Sequence, residues 1–245
     1  MAKHVVMATW DDAPHLSEQA KADLWESYPP HMRDARSKGI PALGAGAIYP
    51  VPESEVVVDD FEIPVYWPKL YALDVGWNKT AALWAARDLQ SGTVYLYSEH
   101  YQGSSEPPIH AFAINARGDW IPGAIDPAAR GRSQVDGRDL FGIYLDLGLN
   151  LYKADNTVES GIYDVWQALS AGKLKVFRSL NNWLGEFRIY RRDEKGKIVK
   201  SNDHLMDCMR YLWGSLDIAH VEPFDYEYME QNPYENAGRS PVTGY

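Results

Sequence analysis

Between Lys69 and Tyr101 the apolar residues fall into three short runs: Leu70 to Leu73, Ala81 to Ala86 and Thr93 to Tyr101. Asp88-Leu89-Gln90-Ser91-Gly92 is a turn sequence between the last two. Runs of this length, bounded by turn formers, predict three strands joined as a meander. Pro107 and Pro108 open a predicted helix through Asn115, because proline suits the first helical turn. Ile121 to Ile125 reads as a further strand, interrupted by Pro122. The period then becomes helical. Ile162, Val165, Trp166 and Leu169 recur at three- and four-residue spacing over Val158 to Ala171, and Gly172 ends that helix. Lys175 to Phe177 predicts a short strand, Asn181 to Tyr190 a helix, and Arg191 to Lys200 a charged hairpin centred on Glu194-Lys195-Gly196-Lys197. A last helix begins at Asp203, with Leu205, Met206, Met209 and Leu212 among its apolar residues. Strands first, then alternating helices and strands, predict an α/β fold with a mixed sheet and helices on its faces.

The chain before Lys69 has a different texture. Ser17 can cap a helix over Glu18 to Tyr28, which Pro29-Pro30 stops. A second helical stretch is expected over His31 to Ser37, then an irregular loop through Gly39, Pro41, Gly44 and Gly46, and extended chain at Val56 to Val58. These patterns divide the chain into an irregular N-terminal arm (1–67), a folded domain (68–216) and an acidic, flexible tail (217–245).

Composition narrows the class. The 245 residues are 45% hydrophobic and 24% charged, which suits a packed globular chain rather than a disordered one. No apolar run approaches the roughly 20 residues of a membrane helix, and no signal peptide opens the chain. The single cysteine, Cys208, excludes an internal disulfide framework and a thiolate zinc cluster. The net charge of −10 argues against a nucleic-acid partner only until its distribution is considered. Lys173 to Lys200 holds nine basic residues against three acidic ones, whereas the first 68 residues and the segment after Leu216 are acidic.

Two aspartates end predicted strands, Asp74 in Leu73-Asp74-Val75-Gly76-Trp77 and Asp126 in Ala124-Ile125-Asp126-Pro127. The last helix adds Asp203 and Asp207, four apart and so on one face, with His204 able to share that side. Carboxylates converging from two strands and a helix repel one another at neutral pH, and such a cluster calls for a cation. Hard oxygen donors suit Mg²⁺ or Mn²⁺, and two such ions can drive phosphodiester hydrolysis. Plainer roles compete: turn formation for Asp74 and Asp126, helix capping for Asp203. Trp77, Trp84 and Trp166 are expected in the core.

In this order, Asp74-Val75-Gly76-Trp77, Ala124-Ile125-Asp126-Pro127-Ala128, the hairpin Lys195 to Lys200 and Asn202-Asp203-His204-Leu205-Met206-Asp207-Cys208-Met209-Arg210-Tyr211 resemble the nuclease domain of tailed-bacteriophage terminase large subunits. The last element resembles that family's D-H-x-x-D-A-x-R-Y signature, with Cys208 in place of alanine. A weaker likeness runs through Trp10 to Leu16 and Gly44 to Pro50. The resemblance implies an RNase H-like fold and a metal-dependent endonuclease that cuts concatemeric viral DNA during genome packaging in the host cytoplasm. It implies Asp74, Asp126, Asp203 and Asp207 as ligands of two Mg²⁺ or Mn²⁺ ions, Asp207 favoured over Asp203 as the principal third ligand, and His204 as a weaker candidate. Double-stranded DNA, a portal protein and a small terminase subunit are the implied partners, with no membrane. Arg130, Arg132, Lys173, Lys175, Arg191, Arg192, Lys195, Lys197 and Lys200 are the candidate DNA-binding residues, because basic side chains neutralise backbone phosphates without reading sequence. No G-x-x-x-x-G-K-[ST] motif occurs, so the chain is expected to cut DNA and not to pump it. Another RNase H-like nuclease, or a non-catalytic docking module, would share many of these features.

Overall fold

The computed structural model describes residues 9–27, 37, 46–130 and 139–223. Among them the elements run α1 (Glu18–Ser27), α2 (Glu53–Val56), β1 (Val57–Val58), β2 (Lys69–Asp74), β3 (Thr80–Arg87), β4 (Val94–Gln102), α3 (Pro107–Asn115), β5 (Gly123–Ile125), α4 (Leu140–Asp146), β6 (Leu151–Lys153), α5 (Val158–Ser170), β7 (Leu174–Phe177), α6 (Asn181–Ile189) and α7 (His204–Gly214). The strands form one sheet in the order β1-β7-β4-β3-β2-β5-β6. β2, β3 and β4 are the antiparallel meander, and every other pairing is parallel. This is the mixed, helix-flanked sheet of the RNase H-like fold.

The two-residue period of a strand sorts the core into two layers. On β2, Leu70 and Ala72 face one layer, shared with Leu83 and Ala85 of β3, Val165 and Leu169 of α5, Trp183 and Phe187 of α6 and most of α7. Tyr71 and Leu73 face the other, with Trp84, Ala111 and Ile114 of α3 and Tyr144 of α4. Small residues on the first face, Ala72, Ala81 and Ala85, let α7 approach the sheet closely. The Cys208 thiol is fully buried there and donates to the Ala81 carbonyl at 3.4 Å.

Most elements read from the pattern are present within a residue or two. The strand expected over Ile121 to Ile125 keeps only Gly123–Ile125; Pro122 stays outside and its carbonyl accepts the Tyr71 N–H at 3.0 Å. Ser17 caps α1, its Oγ accepting from the Ala20 N–H. Two elements had no clear signal, α4 and β6, which are seven and three residues long. Residues 46–67, grouped by pattern with the arm, contribute to the core: Tyr49 stacks on Phe187, and β1 pairs with β7. At the other end His220 forms a bridge with Lys69. The helical stretch expected from His31, the loop from Gly39 to Gly44 and the tail beyond Pro223 lie outside the described residues, Ser37 excepted. Of the three tryptophans assigned to the core, Trp84 is fully buried, but Trp77 and Trp166 are 63% and 36% exposed. Trp166 stands on the outer side of α5, while Trp77 sits in the β2–β3 turn, where no helix among the described residues covers it.

Candidate active site

β2 and β5 run parallel with Leu73 opposite Ile125, so the next residues, Asp74 and Asp126, stand side by side at the strands' carboxyl ends. The Asp126 N–H continues the ladder, donating to the Leu73 carbonyl at 3.0 Å. By strand alternation both aspartates belong to the face of Ala72 and Ala124, which α7 covers. β2 is also where pairing changes, from antiparallel with β3 to parallel with β5. Crevices outside carboxyl strand ends at such a change of direction are the usual ligand sites of α/β sheets.

α7 starts above these two aspartates. His204 Nδ1 lies 2.8 Å from Asp74 Oδ2, and Asp207 follows one turn later. Asp203 occupies the N-cap position, yet its side chain makes no capping hydrogen bond, so capping does not account for it. Glu186 of α6 takes that role from outside the helix. Its Oε2 accepts the Leu205 N–H at 2.6 Å and its Oε1 accepts the Tyr101 hydroxyl at 2.6 Å. A carboxylate at this end also complements the helix dipole. Sequence reasoning passed over Glu186. The sequence shows only a charged residue among Trp183, Leu184 and Phe187; that Glu186 lies on the buried face of the helix, 3% exposed, is seen in the structure.

The acidic cluster carries its own counter-charges. Lys200 Nζ bridges Asp203 Oδ2 at 3.0 Å and Asp207 Oδ2 at 3.1 Å, and Arg210 Nη2 holds Asp207 Oδ1 at 3.1 Å. Burial raises the Asp74 carboxyl above the ordinary aspartate range; the His204 hydrogen bond opposes this, while the charges of Asp207 and Asp126 add to it. The same hydrogen bond raises His204 above the usual histidine value, against its partial burial. Burial likewise raises Glu186. Asp126 and Asp207 therefore both lie within electrostatic reach of Asp74, and Lys200 links Asp207 to Asp203.

Among the described residues no three His, Cys, Asp or Glu side chains are drawn close enough to hold an ion as they stand. The donor set nonetheless fits a hard divalent cation: carboxylates on two strand ends and a helix, in a place where the protein already puts positive groups. Asp203 Oδ2 is buried with no donor in hydrogen-bonding geometry, although the Lys200 ammonium is near it. Lys200 occupies the space between Asp203 and Asp207.

The candidate DNA-binding residues scatter. Lys200 is in the cluster, and Lys195 and Lys197 are exposed in the hairpin. Arg191 is exposed, while Arg192 is tied to Glu159 at 2.6 Å. Lys173 and Lys175 lie at the opposite end of the sheet, on the Ser91 and Glu55 carbonyls at 2.8 and 2.6 Å. Arg130 closes the short 3-10 turn Pro127–Arg130 just after Asp126; Arg132 lies outside the described residues.

Known proteins share this arrangement. The terminase RNase H-like domain family matches residues 72–215, which include all four aspartates. The terminase large subunit of Salmonella phage P22 is 33% identical over 221 residues, 86% of this chain and 44% of that protein, so the chain spans less than half of that relative's length. The solved nuclease domain of the P22 large terminase superposes with a TM-score of 0.67 at 29% identity, covering 74% of this chain and 97% of that one. The large terminase nuclease of thermophilic phage G20c, solved with bound magnesium, shares the fold at a TM-score of 0.51 and 14% identity, over 69% of this chain and 97% of that one. Fold, signature and matched residues agree, and the chain belongs to the terminase family, as an RNase H-like nuclease domain of the large subunit.

Proposed function

We propose that this chain is a metal-dependent endonuclease that cleaves concatemeric double-stranded viral DNA during genome packaging, by two-metal-ion hydrolysis. The observation that carries the reading is the parallel register of β2 and β5, which sets Asp74 beside Asp126 under the first turns of α7. Asp74, Asp126 and Asp207 would hold the divalent ions. Asp207 is assigned ahead of Asp203, because its charge is among those that act on Asp74. When bound, Mg²⁺ or Mn²⁺ would supply an activated water and stabilise the leaving 3′ oxygen. His204 orients Asp74, Arg210 orients Asp207, and Glu186 fixes the start of α7 that carries His204 and Asp207. The magnesium in the G20c nuclease supports divalent-metal use here. Contacts with a portal protein and a small terminase subunit follow from family membership, and the host cytoplasm is the corresponding location. No helix among the described residues is long and apolar enough to cross a membrane.

A plasmid-cleavage assay tests the proposal. Supercoiled DNA should be nicked and linearised with Mn²⁺ or Mg²⁺ and left intact with EDTA. Asp74→Ala and Asp126→Ala should each lower the rate by about a thousandfold or more, in line with loss of charge stabilisation in the transition state. Cleavage that persists in both variants would move the chemistry elsewhere.

A further inference from the structure

Resting on that nuclease reading, we infer that Trp77 and Lys79 form a DNA-contact element at the rim of the site, the indole packing on a nucleotide's base or sugar and the ammonium on a backbone phosphate. Trp77 lies in the turn Val75–Lys79 that leaves β2 immediately after Asp74, three residues along the chain from that carboxylate. Its indole is 63% exposed.

The backbone beneath that indole is firmly held. The Thr80 hydroxyl is buried and donates to the Gly76 carbonyl at 3.1 Å, and the Ser104 N–H donates to the Trp77 carbonyl at 2.9 Å. Gly103 presses against the same turn so closely that a Cβ there would sit 2.1 Å from the Asn78 carbonyl oxygen. Val75, two residues before, turns inward and packs on the core. A turn braced from two sides that still presents a large flat apolar side chain to water is arranged for a partner, because holding the group in advance lowers the ordering cost of binding.

The partner's chemistry follows from the neighbours. Lys79 Nζ lies 4.3 Å above the Tyr101 ring, and that ring is 6.3 Å from His204, which holds Asp74. An apolar plate and a cation side by side, continuous with the acidic cluster, match the alternating apolar and anionic surface of a nucleic acid strand. Aromatic stacking of this kind tolerates any sequence, since every base has a flat face.

Fluorescence anisotropy of a labelled DNA duplex with a single-stranded gap, where base faces are open to stacking, measures binding in EDTA with cleavage switched off. Trp77→Ala should weaken binding about tenfold, within the range of aromatic–base contacts, while Trp77→Phe should stay within about threefold of the native chain, because it keeps a stacking face. Trp166→Ala, another exposed tryptophan on α5, should bind as the native chain does. Lys79→Ala should reduce the salt slope by about one unit, the loss of one phosphate contact. Thermal melting of each variant confirms that it is folded. If Trp77→Ala binds like the native chain, the inference is overturned; metal-dependent plasmid cleavage by the native chain would then leave the nuclease reading standing. If the native chain binds no DNA under any condition, both are overturned.

Discussion

At the scale of single residues the molecule turns on how its clustered acidic charge is compensated. Lys200 lies between Asp203 and Asp207, and its removal leaves the buried Asp203 carboxylate without its counter-charge, while Arg210 still holds Asp207. Lys200→Met should therefore destabilise the metal-free chain by about 1 kcal/mol, because the ammonium is largely exposed and its attraction is screened by water. Added Mn²⁺ should raise the melting temperature more in this variant than in the native chain, because the ion no longer competes with an ammonium. An equal metal-induced rise in both would show that Lys200 and the ion do not share a place. A second buried pair lies away from the site. His100 Nε2 and His110 Nδ1 are 2.9 Å apart, and burial, then His110 and Arg117, push His100 from 6.5 down to about 4. Below pH 6.5 the unfolded chain binds a proton that folded His100 refuses, so stability falls as pH drops towards 4, by at most about 1.4 kcal/mol per pH unit for this group. In His100→Gln the loss of melting temperature over that window should be shallower. An unchanged slope would contradict the assignment. Residue positions were unevenly legible in the sequence. Asp74, Asp126 and Asp207 were readable because strand ends and helix spacing place them; Glu186 was not, because it reaches the Leu205 N–H from another helix 19 positions away.

At the scale of elements, α7 is the part on which the site depends, and two neighbours set its position. Glu186 anchors its first turn. Glu186→Ala should cost about 1–2 kcal/mol of stability, as the loss of a helix cap and a buried acceptor does. Gly161 of α5 sets how closely the two helices lie, since a Cβ there would stand 2.7 Å from Arg210 Cγ. Alanine favours an isolated helix over glycine by about 1 kcal/mol, yet Gly161→Ala should lower the melting temperature, because the buried Arg210 side chain that holds Asp207 must shift. A raised melting temperature would show that Arg210 can yield. Elements differed in legibility for physical reasons. The meander and α5 have long, regular patterns. β6 has three residues and α4 seven, too short for a period to show, and both are fixed by what they pack against. Trp77 looked like core because it follows an apolar strand, but the strand ends at Asp74 and the turn carries the indole outward.

At the scale of the whole molecule, the proposed function asks a chain of net charge −10 to bind a polyanion. The hairpin residues Lys195 and Lys197 are exposed, and Lys200 brings the same basic segment to the carboxylates, while Lys173 and Lys175 lie at the other end of the sheet. Charge reversal at Lys195 and Lys197 together should weaken duplex binding and flatten its salt dependence by about two units, one per phosphate contact. An unchanged salt slope would place the duplex on another surface. For the proposed metal centre, the deciding measurement is calorimetric titration of Mn²⁺ into the native chain, Asp74→Asn, Asp126→Asn and the exposed control Asp164→Asn. Saturable binding in the native chain and the control, weakened tenfold or more in both site variants, is the expected result. Equal Mn²⁺ affinity in all four proteins would contradict a metal centre at the ends of β2 and β5.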